Sequence, residues 1–72
     1  MKFDVFGRKI EVIKSNNKWK VLIIGSEGKK RLANDIVIPS EVADREIKGY
    51  LEDLCHEWAK PGKDRVVILS RD

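Results

Sequence analysis

Cys55-His56-Glu57 sets a thiol, an imidazole and a carboxylate in a row, the three groups from which a nucleophilic site is assembled. The segment reads as helix, and on a helix successive residues point about 100° apart, so the three side chains cannot meet. Cys55 borders the apolar stripe near Leu51 and Trp58 and reads as a small hydrophobe at the core edge, while His56 faces away. Glu52 and His56, one turn apart, would supply two metal ligands where a structural site needs four, and His56 is expected to be a solvated side chain helped by Glu52. Glu46, Asp53 and Glu57 share an acidic helix edge beside Tyr50, the usual make-up of a solvated face.

Gly25-Ser26-Glu27-Gly28 has the bare spacing of an RNA-clamping GxxG loop, but it joins strands rather than helices and carries an acid. A phosphate-binding P-loop needs four residues between its glycines and a helix after them, and this segment has neither. The strongest nucleic-acid candidates are Lys14, Lys18, Lys20, Lys29, Lys30 and Arg31, around the second and third strands and their loops. A sheet that reads RNA presents several stacking aromatics, and the outer face offers only Phe6. Three strands with basic loops followed by a helix resemble in architecture the arm-binding domains of phage integrases, which read DNA with the sheet, yet the several strand arginines of that pattern are missing. No residue set supplies a nucleophile with a base in reach, so the expectation is a protein that is not an enzyme, with no cofactor, no metal and no small-molecule substrate.

The elements that must position these residues are those of one small domain over residues 1–72, with 42% hydrophobic and 38% charged residues. Cys55 is the single cysteine, so no internal disulfide forms, and charges interrupt every apolar stretch before it could span a bilayer. A cytoplasmic location and no membrane partner are expected. The net charge of +3 hides an asymmetry. Residues 1–40 carry nine basic and four acidic groups, residues 41–59 two and six, and residues 60–72 four and two. An acidic helix over basic strands disfavours a recognition helix that enters a DNA groove, because such a helix must approach phosphates.

Residues 2–6 and 9–14 alternate apolar with charged side chains and read as strands joined by Gly7-Arg8 in a type II′ turn. Asn16-Asn17 suits a type I′ turn into a third strand over residues 19–24. These loops pair Val5 with Ile10, Phe3 with Val12, Val12 with Val21, Ile10 with Ile23 and Lys14 with Trp19. One face then collects Phe3, Val5, Ile10, Val12, Trp19, Val21 and Ile23 as the core face. The other holds Lys2, Asp4, Phe6, Lys9, Glu11, Ile13, Lys20, Leu22 and Ile24, too apolar for a plainly wet surface, with Asp4 opposite Glu11 as a like-charge pair that the diagonal Lys9 and Lys20 turn into a charge lattice. Residues 29–32 read as a short basic edge strand, and Ile36-Val37-Ile38 as an extended segment stopped by Pro39.

Ser40 or Asp44 caps a helix running to about Ala59, with Ile47, Tyr50, Leu51, Leu54 and Trp58 on one stripe and Pro61-Gly62 as the stop. Residues 65–70 form a last strand whose four consecutive apolar residues imply cover on both faces, in the sheet or against another subunit. The fold class is α+β: an antiparallel three- or four-stranded meander, one amphipathic helix packed on one face, and a C-terminal strand. Function follows as an expectation. The chain is a protein–protein interaction module or small homo-oligomer that uses the outer sheet face, centred on Phe6, Ile13, Leu22 and Ile24 with Lys9 and Lys20 around it, toward itself or another protein. Nucleic-acid binding by the basic loops is the alternative.

The stretches Lys2-Phe3-Asp4-Val5-Phe6-Gly7-Arg8, Asp35-Ile36-Val37-Ile38-Pro39 and Leu54-Cys55-His56-Glu57-Trp58-Ala59 resemble a family of small bacterial proteins with no assigned activity. The resemblance implies a bacterial, free-standing chain and carries no functional residue across.

Overall fold

The computed structural model describes residues 1–70. Five strands form one antiparallel sheet: β1 (Lys2–Val5), β2 (Arg8–Ser15), β3 (Lys18–Ile24), β4 (Lys30–Leu32) and β5 (Val66–Ser70). Their order across the sheet is β4-β3-β2-β1-β5. The meander β1 to β4 is continued on its far side by the C-terminal strand, and a single α-helix, α1 (Ile47–Leu54), lies between β4 and β5 in the chain. The α+β class with a fourth, basic strand and a C-terminal strand is as the sequence pattern predicts.

The second hairpin folds as its turn residues require. Asn16 and Asn17 hold φ of 51° and 63°, the left-handed pair of a type I′ turn, and β2 meets β3 with Ile10 opposite Ile23, Val12 opposite Val21 and Lys14 opposite Trp19. The first hairpin differs. Its loop is Phe6-Gly7 rather than Gly7-Arg8, with φ of 51° and 93°, again type I′ and not II′. Phe3 therefore pairs with Ile10 and Val5 with Arg8. Two contacts favour this turn: the Asp4 carboxylate accepts the Gly7 N–H at 2.7 Å, and the Phe6 N–H donates to the Arg65 carbonyl at 3.1 Å. The pairing slips by two residues, so every side chain keeps its face and the predicted core face survives. The slip also sets Asp4 opposite Lys9 and Lys2 opposite Glu11, and the expected like-charge pair disappears.

Phe3, Val5, Ile10, Val12 and Val21 on the sheet pack with Ile47, Leu51 and Cys55 above them, and Phe6, Ala33, Ile36, Ile38 and Val66 complete the buried cluster. Leu51 and Ile47 are fully buried, and each such side chain contributes about 1.5–3 kcal/mol. The helical segment is shorter and more broken than its periodicity predicts. A 3-10 turn at Asp44–Glu46 leads into α1, and a second at His56–Trp58 follows it, so the α-helix does not run on to Ala59. Neither Ser40 nor Asp44 caps the start; the Glu46 carboxylate accepts the Ala43 N–H at 2.9 Å instead. Leu54, at the end of α1, is 44% exposed, and Cys55 packs in the core against the sheet. Lys60-Pro61-Gly62-Lys63 then turns the chain back, with Gly62 at φ 82°.

Among the described residues no helix is long and apolar enough to cross a membrane.

Candidate functional site

The helix covers one side of the sheet and leaves the other open. Strand parity and register place Lys2 and Asp4 of β1, Lys9, Glu11 and Ile13 of β2, Lys20, Leu22 and Ile24 of β3, and Lys30 and Leu32 of β4 on that open side. Val67 and Leu69 of β5 join them. Leu22 and Ile24 are half-buried by their neighbours, whereas Ile13, Leu32, Val67 and Leu69 stand 36–53% exposed. Leu22 lies directly opposite Leu32, which extends the apolar patch to the sheet edge.

Five of the six residues expected at this face are there: Lys9, Ile13, Lys20, Leu22 and Ile24. Phe6 is not. Its place in the turn sends the ring into the core, where it is 6% exposed. Leu32, Val67 and Leu69 enter the surface without having been expected, because their place depends on which strands lie side by side. Leu32 alone left a signal in the sequence, as the apolar end of the basic edge strand.

Charge on this face is mostly positive, and a close ion pair on it spans β3. Glu11 meets the Lys30 ammonium at 2.7 Å. The hydrogen bond from Lys30 outweighs partial burial and, with the charges of Lys30, Lys2 and the N-terminus, holds the Glu11 carboxyl below its ordinary value. Lys9 and Lys20 are exposed beside the apolar residues.

The basic candidates do not gather in one place. Lys18, Lys20 and Lys30 share the open side by register, while Lys14 pairs with Trp19 and Arg31 with Ile23 on the helix side. Lys14 lies over the Trp19 ring at 4.8 Å, and the Trp19 indole N–H donates to the Val42 carbonyl at 2.9 Å. Lys29 sits in the loop at the opposite end from Lys18. On the helix side Arg8 stacks on Trp58 at 4.4 Å, and the Tyr50 hydroxyl donates to the Val37 carbonyl at 3.0 Å.

Around Cys55 the geometry separates the groups the sequence sets in a row. The thiol is 3% exposed, and burial, assisted by Asp35, pushes its pKa up against the opposing charge of Arg8. His56 is exposed and its Nδ1 donates to the Asp53 carbonyl at 3.0 Å, while Glu52 turns to Lys48 at 3.5 Å rather than to His56.

With the surface in view, the sequence profile of a domain of unknown function, DUF7661, matches residues 1–70. The chain belongs to this family. The function of the family is unknown, in keeping with the resemblance to proteins of unassigned function, and DUF7661 brings no functional residue to set against the outer face. No curated protein and no solved structure matches the chain significantly.

Proposed function

We propose that the chain is a non-catalytic interaction module whose open sheet face binds protein, either a second copy or another partner. The observation that carries this reading is the apolar surface of Ile13, Leu22, Ile24 and Leu32, which the helix does not cover and which Lys9 and Lys20 flank. An apolar centre with a charged rim is the composition of a surface that is dry in a complex and soluble outside it. The separation of Cys55, His56 and Glu57 supports the non-catalytic part, since a buried thiol of raised pKa with its imidazole turned elsewhere is a poor nucleophile. We place the module in the bacterial cytoplasm, a setting supported by the family resemblance and by the lone, buried cysteine.

Leu22→Lys with Ile24→Lys tests the reading. Both side chains lie on the side away from the helix, so the fold persists by circular dichroism. The complex that the wild-type chain forms through this face, read as solution mass by light scattering, is lost. A complex that survives the double change and does not run through the edge of β5 overturns the proposal.

Nucleic-acid binding is the second reading, supported by Lys18, Lys20 and Lys30 on one side of the sheet together with Lys2 and Lys9. It requires an affinity that falls steeply with salt. A flat response between low and moderate salt removes it.

A further inference from the structure

The two edges of the sheet are built differently. β4 is three residues long and carries Lys30 and Arg31, charges that discourage another strand from docking. β5 is five residues long, Val-Val-Ile-Leu-Ser, with no charge and no proline, and among the described residues it pairs only with β1. Four consecutive apolar residues suggested a strand covered on both faces. Instead β5 is an edge strand with Val67 and Leu69 42% and 50% exposed.

The free edge of β5 has a definite pattern of donors and acceptors. Phe6 donates to the Arg65 carbonyl, so Arg65 faces β1. Backbone groups alternate between the two sides of an antiparallel strand, so Val67 also faces β1, and the N–H and C=O of Val66 and Ile68 point outward. A bulge beyond Phe3 sets Ser70 opposite Lys2, which returns Ser70 to β1. The edge therefore offers two residues, two positions apart, each with a donor and an acceptor.

That pattern is its own complement. An antiparallel strand of the same sequence, related by a two-fold axis at Val67, sets Val66 of one copy against Ile68 of the other. Both pairs then exchange both of their hydrogen bonds. Val67 meets Val67 of the second copy in the intervening position, where opposed side chains come closest.

Charge identifies the occupant. Nothing between Arg65 and the end of β5 repels a second copy. Two β4 edges, by contrast, would oppose Lys30 and Arg31.

We infer that two copies of the chain pair through β5, antiparallel about a two-fold axis at Val67, and join their five-stranded sheets into one. This goes beyond the open-face reading and does not depend on it, because β2 and β1 separate Leu22 and Ile24 from β5. The two open faces become one continuous surface, with Val67 and Leu69 along the seam. A short edge makes a small interface, so the dimer forms in the micromolar range.

Sedimentation equilibrium of the full chain from about 5 to 500 μM, a range that brackets such affinities, tests the pairing. The wild type shifts from monomer to dimer. Val67→Lys and Val67→Glu each weaken dimerisation by about tenfold or more, because like charges then stand directly opposite. An equimolar mixture of the two restores a heterodimer. Amide exchange at Val66 and Ile68 slows as the wild-type concentration rises and stays unchanged for Val67→Lys. Circular dichroism confirms that both variants fold. A wild type that stays monomeric overturns the inference, as does a dimer that Val67→Lys leaves intact. A dimer broken by Leu22→Lys with Ile24→Lys but not by Val67→Lys overturns it too, and places the second copy on the open face.

Discussion

The carboxylate of Glu11 and the ammonium of Lys30 meet at 2.7 Å across β3, joining the second strand to the edge strand on the side the helix leaves open. Lys30 is half exposed and Glu11 largely covered, so the pair is screened on one side only. It ties down β4, whose three residues otherwise rest on one short ladder.

The folded-state pKa of Glu11 lies below its ordinary value of 4.5, chiefly through the Lys30 hydrogen bond. The stability this adds is present above the unfolded value and is lost as pH falls through the folded one. Glu11→Gln should cost a few tenths to about 1 kcal/mol at pH 7, and its deficit should shrink below pH 4. Urea midpoints at pH 7 and pH 3 measure this, and a deficit that does not change with pH would contradict the pairing.

Phe6 combines a left-handed backbone with a buried ring, a costly conformation offset by burial. Phe6→Ala keeps the backbone strain and loses the ring, with an expected loss of about 3 kcal/mol. Phe6→Gly loses the same ring but relieves the strain, and should be milder by about 0.5 kcal/mol. Thermal or urea unfolding of both variants gives the order directly. If the alanine variant is the more stable, the turn is not type I′.

Gly7 has φ of 93°, and a Cβ there would lie 3.1 Å from the Lys63 Cδ. Gly7→Ala should therefore cost about 1–2 kcal/mol, mostly from the backbone. Adding Lys63→Ala should recover only a few tenths of that, because a flexible side chain yields easily. A double-mutant cycle separates the two parts, and full recovery would show that crowding rather than φ sets the requirement for glycine.

Burial holds the Cys55 thiol neutral beyond its ordinary value of 9.0. The unfolded chain ionises first as pH rises, so the stabilisation is complete below the unfolded value and is lost through the alkaline range. Cys55→Ala should flatten this alkaline limb at a cost of about 1 kcal/mol near pH 7. Cys55→Ser should be worse than alanine, because it buries a hydroxyl without a partner. Chemical denaturation at pH 7 and pH 10 distinguishes them, and equal slopes for wild type and Cys55→Ala would place the thiol in solvent.

Side-chain period separates the two faces of a strand and is blind to a slip of two residues. That is why the assignment of Phe3, Val5, Ile10 and Val12 to the core held although the first hairpin turns one residue earlier than Gly7-Arg8 suggests. Asn16-Asn17 left the second hairpin no such freedom, since both residues tolerate positive φ and neither flank does. Helical period likewise found Ile47 and Leu51. It also set Leu54 on the stripe and Cys55 at its edge, whereas Cys55 is buried and Leu54, at the end of α1, is 44% exposed.

By itself, the sequence determined the α+β class, the core face, the basic edge strand, the register of the second hairpin, and Ile13, Leu22 and Ile24 on the opposite side. These rest on local turn chemistry and on the periods of strand and helix, which act over a few residues. Tertiary structure decided the loop at Phe6-Gly7, where Asp4 reaches one backbone amide and Arg65 receives another. It also decided that β5 lies at the sheet edge, and so brought Val67 and Leu69 to the surface. Strand order is a contest between whole-chain packings, and a run such as Val66-Val67-Ile68-Leu69 satisfies the local pattern of a central strand and of an edge strand alike.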